Sequence, residues 1–256
     1  MDDELQRRVL AASAAWRSPW FPPDARHLRD DRLEAYAKDG LLTVMHVGLP
    51  GRGGTPSAAS DLALVQDLAR RAGCSEVSWT SGAGVSAAGL EELLAARGGT
   101  VTATIEILAR RTDVTAPAPE SSRIVVAEVA TAEQYRDVLR VDAEVWDHAM
   151  PDESELRAGF PAGADGRWLA TLDGEPAGAG GYGIVDDVAR LWGAGVVPRH
   201  RRQGVYAALV ECRVESARER GASLALVHAL PTSAPILRRL GFERFGERLV
   251  WRFAAG

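Results

Sequence analysis

A basic turn with one glycine, at residues 199–204, carries the residue types that could bind an anion. It follows an apolar stretch that ends at Val196 and Val197, and it leads into a long amphipathic segment that begins at Val205. The first N–H groups of a helix have no partner inside the helix, and the helix dipole is positive at this end. The turn therefore predicts a phosphate site. Gly204 lacks a β-carbon and would let the ligand approach the main chain.

The predicted phosphate turn thus combines main-chain donors with the positive charge of Arg199, Arg201 and Arg202. We predict that a phosphorylated ligand lies across the start of the helix. The residues that we expect to contact it are Arg201, Arg202, Gln203, Gly204, Val205, Tyr206 and Ala207.

Two motifs resemble those of the GNAT superfamily of N-acyltransferases. Residues 201–206, Arg-Arg-Gln-Gly-Val-Tyr, are similar to its Arg/Gln-x-x-Gly-x-Gly/Ala signature, although Tyr206 replaces the usual small residue. Residues 234–243 resemble the second hallmark, a short helix that ends in Leu-Gly-Phe, and the strand-like segment 223–229 lies between the two motifs. The resemblance implies that the turn holds the pyrophosphate of acetyl-CoA, or of another acyl-CoA.

The resemblance also implies acyl transfer to a small amine. In that family the strand before the turn, here 188–197, bends away from the strand at 223–229 and opens a wedge for the pantetheine arm. Backbone groups near Val196 and Val197 would pair with that arm, and an N–H there would polarise the thioester carbonyl. A non-catalytic module that binds CoA is the alternative.

The customary acid and base of the family do not match. Residues 189–195 contain no carboxylate, and the position of the usual tyrosine is Leu237. We name His228 as a substitute base, because it ends a strand where the wedge opens and its pKa suits proton transfer. Asp147 and Glu144, at a helix end bordering the acceptor side, could instead meet the amine. The alternative for His228 is a purely structural histidine. The alternative for Asp147 and Glu144 is a solvent-exposed helix terminus.

The pattern of elements predicts an α/β (mixed α+β) fold, with a central mixed sheet flanked by helices. A segment rich in proline and small residues, 115–122, predicts a linker between a first domain at 1–114 and a GNAT domain at 123–256. The first half would be a degenerate GNAT-like unit, giving two tandem units, or else an unrelated α/β cap. Its glycine run at 51–54 falls where a phosphate turn would lie but has no arginine cluster.

The net charge and the cysteine content limit the other functional classes to which the protein could belong. With a net charge of −5 over 256 residues, a nucleic-acid footprint is not expected. The two cysteines show no disulfide or metal-ligand spacing, which favours a reducing cytoplasm. The acidic start and the lack of a long apolar run predict neither a signal peptide nor a membrane segment. We expect a cytoplasmic monomer or homodimer without a metal. Arg213, Arg218 and Arg220 alternate with glutamates and predict an exposed helix face.

Overall fold

The structure, a computed structural model, describes residues 3–17, 22, 24–29, 32–47, 57–83, 86–114 and 122–256. The chain divides into two units. Unit 1 is formed by residues 1–107, 229–231 and 245–256, and unit 2 by residues 108–228 and 232–244.

Both halves of the chain contain helices and strands in mixed order. The first half contains α1 (Asp3–Ala14), β1 (Arg26–Arg29), β2 (Leu33–Lys38), β3 (Leu41–Val47), α2 (Ala58–Ala72), β4 (Glu76–Ser81), α3 (Leu90–Ala96) and β5 (Thr100–Arg111). The second half contains β6 (Ile124–Glu128), α4 (Ala132–Trp146), α5 (Glu153–Gly159), β7 (Arg167–Leu172), β8 (Glu175–Val185), β9 (Val188–Val196), α6 (Val205–Glu219), β10 (Leu224–Ala229), α7 (Ala234–Arg239) and β11 (Glu243–Ala254).

Unit 2 is built on a mixed sheet in the order β10–β9–β8–β7–β6. Strands β6 to β9 pair antiparallel, and β10 pairs parallel with β9 after the crossover helix α6. The hairpin between β7 and β8 turns at Asp173 and Gly174, both with positive φ, as the Asp-Gly pair predicts. Thr131 accepts a hydrogen bond from the Gln134 N–H and so begins α4.

Unit 1 repeats part of this order. Strands β1, β2 and β3 pair antiparallel, and β4 pairs parallel with β3 after α2. A short helix and a long strand follow in each half, α3 with β5 and α7 with β11. Among the described residues, unit 1 has no counterpart of β6. This partly shared order supports the interpretation that the first half is a shortened second unit.

The last strand of the chain belongs mostly to unit 1, because Leu249–Ala254 of β11 pairs antiparallel with β4. Residues 108–114, at the end of β5 and just beyond it, belong to unit 2. The units therefore differ from the predicted linear division at 1–114 and 123–256. Residues 115–121 of the predicted linker and the glycine run 51–54 lie outside the described residues.

Each unit has its own apolar core. In unit 1 the inner faces of α2 and α3 pack on the sheet through Leu62, Val65 and Leu94, all fully buried. In unit 2 a cluster under α4 contains Val129, Tyr135, Val138, Val141, Leu169, Ala179 and Val197. Within the part of the chain that the structure describes, no helix combines the length and the apolar composition of a membrane span.

Candidate functional site

The phosphate turn connects β9 to α6 in unit 2. After Val197 the chain makes one 3₁₀ turn at Pro198–His200, and Arg202 and Gly204 then take positive φ values of 63° and 87°. The left-handed conformation of Gly204 starts α6, and no side chain caps the helix there. Glycine adopts this conformation without the steric strain that a side chain would add.

The first amides of α6 are open. The Ala208 N–H donates to the Gly204 carbonyl, which makes it the first intrahelical bond. Among the described residues, no acceptor pairs with the N–H groups of Val205, Tyr206 and Ala207. The three groups point along the helix axis at its positive end, which is the arrangement that binds an anion.

Positive charge surrounds these amides, but two of the arginines are already held. Arg199 donates to both carboxylate oxygens of Glu144, and Arg201 donates from Nε to the Val196 carbonyl at 3.1 Å. Arg202 and Gln203 are exposed. The turn therefore keeps a net positive charge while two of its side chains also fix its shape.

A wedge opens beside the turn, where β9 extends beyond the last residue that pairs with its parallel neighbour β10. The pairing of β9 with β10 ends at Leu191 and Val227, whereas β9 continues to Val196. This end of pairing lies where the family resemblance implies that the two strands bend apart. Backbone groups at the end of β9 face this opening on the edge that β10 no longer covers.

Val196 is the residue whose backbone faces that edge. The Val197 N–H donates to the Ala177 carbonyl of β8, and the Val197 carbonyl accepts from the His200 N–H. Because successive backbone groups of a strand point to opposite edges, those of Val196 point away from β8. The bond from Arg201 to the Val196 carbonyl agrees with this direction. Of the two predicted valines, only Val196 offers its N–H to the wedge.

The comparisons with known proteins decide the family of this region. A family model described as "Acetyltransferase (GNAT) family" matches residues 132–242, which span α4 to the Leu-Gly-Phe motif. Residues 132–242 form a GNAT acetyltransferase domain. No curated protein matches the chain.

Solved structures extend the likeness over both halves. A GCN5-related N-acetyltransferase from Kribbella flavida is 21% identical, with 97% of this chain and 95% of that chain covered and a TM-score of 0.62. One from Sphaerobacter thermophilus is 17% identical, with 87% and 76% covered and a TM-score of 0.68.

A tandem GNAT protein from the clavulanic acid biosynthesis pathway is 17% identical and has a TM-score of 0.61, with 100% of this chain and 96% of that chain covered. At these identities the likeness establishes the fold, which is the GNAT fold.

Within the GNAT domain, the three predicted acid–base residues lie in different surroundings. His228 is half-buried on β10, one residue beyond the last residue paired with β9. Asp147 is exposed and ends α4 with a φ of 51°. Glu144 is exposed on the last turn of α4, and Arg199 of the phosphate turn binds its carboxylate. The structure thus brings Glu144 to the turn and places His228 at the opening of the wedge.

Tyr206 turns its phenol away from solvent. Its side chain is hydrogen-bonded to Ser233, immediately before α7, and burial raises the pKa of the phenol. The nearby charge of Arg213 and the bond to Ser233 oppose this shift only in part. The hydroxyl therefore stays protonated through the neutral range. Leu237, at the position of the family's usual tyrosine, is fully buried.

The prediction that Arg213 lies on an exposed face is wrong. Arg213 is 1% exposed, and its side chain points to the sheet, where it donates to backbone carbonyls. The helical period gave a signal for this, because Arg213 lies four residues from both Leu209 and Ala217, which are buried. Arg218 does lie on the exposed face, paired with Glu215.

Proposed function

We propose that the chain is an acyl-CoA-dependent N-acyltransferase that uses acetyl-CoA and a small amine as acceptor. The open amides at the start of α6 carry this proposal. Uncapped N–H groups beside a left-handed glycine and an arginine cluster suit a diphosphate, and no side chain of the helix competes for them. The residues present therefore fit the cofactor that the GNAT family generally binds.

The proposed contacts divide between backbone and side chain. The N–H groups of Val205, Tyr206 and Ala207 would hold the diphosphate, with Gly204 giving access and with Arg201, Arg202 and Gln203 at its rim. Acetyl-CoA would supply an acyl group activated as a thioester. The Val196 N–H, which faces the wedge, would polarise the acyl carbonyl.

Proton removal from the amine is the step for which side chains are needed. We assign His228 as the base, because it stands at the opening of the wedge and a histidine ring nitrogen can accept a proton from the amine. Asp147 and Glu144 are the other candidates on the acceptor side. The carboxylate of Glu144 is less suited, because both of its oxygens already accept hydrogen bonds from Arg199.

The proposal is tested by following thiol release from acetyl-CoA with a panel of small amines, alongside a calorimetric titration with acetyl-CoA. Turnover together with binding would support the enzyme. Binding without turnover for any amine would instead support a non-catalytic module that binds CoA, and no binding would contradict both.

A pair of histidine variants then tests the base. His228→Ala should lower kcat by about 10²- to 10⁴-fold with little change in the Kd of acetyl-CoA. His27→Ala, at an exposed histidine of unit 1 that contacts Glu34, serves as the control and should leave kcat unchanged. Equal kcat values for the two variants would exclude His228 as the base.

A further inference from the structure

Arg213 is a fully buried cation that binds the main chain of the sheet. Its Nε donates to the Leu209 carbonyl of α6 at 2.9 Å, and its Nη1 donates to the carbonyls of Gly181 at 2.9 Å and Trp192 at 3.4 Å. Burial lowers the pKa of Arg213 to about 10, which still leaves it charged at neutral pH. The side chain therefore joins α6 to β8 and β9 through a charge-assisted contact.

The carbonyls of Gly181 and Trp192 lie next to an irregularity in the pairing of β8 with β9. Gly181 is paired with Trp192, but the next pair is Ala179 with Gly195, so that two residues of β9 oppose Gly180 alone. One of these two, Gly193, has a φ of 58°. This is a β-bulge, with one extra residue in β9.

The guanidinium packs directly on the bulge. A β-carbon at Gly180 would lie 2.9 Å from Nη1 of Arg213 and 3.2 Å from Cα of Ala194, so a side chain has no room there. On the neighbouring pair, a β-carbon at Gly181 would overlap the ring of Trp192. The Trp192 ring is also covered by the guanidinium of Arg167, 5.2 Å from its centroid.

The bulge decides which backbone groups of β9 face the wedge. Since backbone N–H groups alternate between the two edges of a strand, one extra residue reverses the alternation beyond it. With the bulge, the Val197 N–H bonds to Ala177 of β8 and the Val196 N–H faces the open edge. Without it, Val196 would be opposite Ala177 and its N–H would be turned into the sheet.

We propose that Arg213 is a positioning residue that fixes this bulge and so keeps the Val196 N–H directed into the wedge. The inference rests on the proposed acyl transfer for its effect on catalysis, but its effect on the bulge is independent of that reaction. A lysine could not replace the arginine fully, because its single ammonium lacks the planar fork that reaches several carbonyls.

Three variants on one helix test the inference. In Arg213→Met, kcat should fall by about 100-fold, the loss expected for a misplaced catalytic group, while the Kd of CoA changes less than about two-fold. The kcat of Arg213→Lys should lie between that of Arg213→Met and that of the wild type. Arg218→Met, at an exposed arginine of α6, is the control and should match the wild type.

A second readout needs no turnover. Hydrogen exchange of the Val197 amide should be faster in Arg213→Met than in the wild type, because its bond to Ala177 depends on the bulge. The inference is overturned if both kcat and this exchange stay at wild-type values. If the wild type has no activity, the proposed function fails and the exchange rate alone decides the inference. Should Arg213→Met not fold, Arg213→Lys provides the same two measurements.

Discussion

Arg199 of the phosphate turn donates to both carboxylate oxygens of Glu144, at 2.8 and 2.6 Å, and so connects the turn to the last turn of α4. Both side chains are about half exposed, which limits the pair to a contribution of about 0–1 kcal/mol. Its importance lies in the charge, because the carboxylate neutralises an arginine that an anionic ligand would otherwise meet.

Glu144→Gln should therefore strengthen the binding of acetyl-CoA at low salt, because Arg199 regains its full charge. The free energy of unfolding should change by less than about 1 kcal/mol. Calorimetry at two salt concentrations measures the first effect and denaturant titration the second. Asp137→Asn removes a carboxylate paired with Arg140 elsewhere on α4 and should not change the affinity. An equal gain in both variants would show only a general charge effect.

Tyr206→Phe should lower stability by about 0.5–1.5 kcal/mol, the usual contribution of one hydrogen bond, because the bond to Ser233 is lost. The affinity for acetyl-CoA should stay the same, since the amide of Tyr206 and not its phenol makes the proposed contact. The matched control is Tyr182→Phe on β8, which loses a hydrogen bond of 2.9 Å between the Tyr182 hydroxyl and Ser216 of α6. A loss of affinity in Tyr206→Phe alone would mean that the phenol contacts the ligand.

The buried pair of Asp142 and Arg167 predicts an unusual dependence of stability on pH. Burial raises the pKa of Asp142, although the charge of Arg167 opposes the shift. A carboxyl whose folded pKa is raised contributes most below its unfolded pKa, about 3.9, and loses this contribution as the pH rises through the folded pKa. Wild-type protein should thus gain stability relative to Asp142→Asn as the pH falls from neutral.

Asp173 should change stability with pH in the direction opposite to Asp142. Its hydrogen bond from Arg123 lowers its pKa, so its contribution is present at neutral pH and is lost as the pH falls through the folded pKa. Wild-type protein should lose stability relative to Asp173→Asn under the same acidification. Denaturant titrations of the three proteins over this range test both signs, and parallel pH profiles would contradict the assignment.

Much of the fold was predictable because local patterns agreed with it. The strands that the sequence predicts at 188–197 and 223–229 match β9 and β10 to within one residue. The short strands β1 and β2 were not predicted, since they lack a strong apolar alternation and gain their partners only within the sheet. Helix α5, with few apolar residues, was likewise not predicted.

The parts of the site that depend on local sequence were predictable, and the parts that depend on tertiary packing were less so. The glycine turn and the start of α6 follow from local sequence. The engagement of the Val197 N–H, the pairing of Glu144 with Arg199 and the burial of Arg213 all depend on residues far along the chain. The bulge in β9 could be inferred neither from Gly193 nor from its neighbours alone, because it is defined by the register with β8.

The central claim is that main-chain amides beside Gly204 bind the diphosphate of the cofactor. Gly204→Val and Gly221→Val place the same strained side chain at the two ends of α6, where φ is 87° and 89°. Both should lose stability, because a left-handed conformation costs an ordinary residue about 1–2 kcal/mol. Only Gly204→Val should weaken binding, by about ten- to hundred-fold, since it disturbs hydrogen bonds to a charged group.

The most direct measurement is a calorimetric titration of both folded variants and the wild type with acetyl-CoA. The account predicts wild-type affinity for Gly221→Val and a much lower affinity for Gly204→Val. Equal affinities in all three proteins would contradict it.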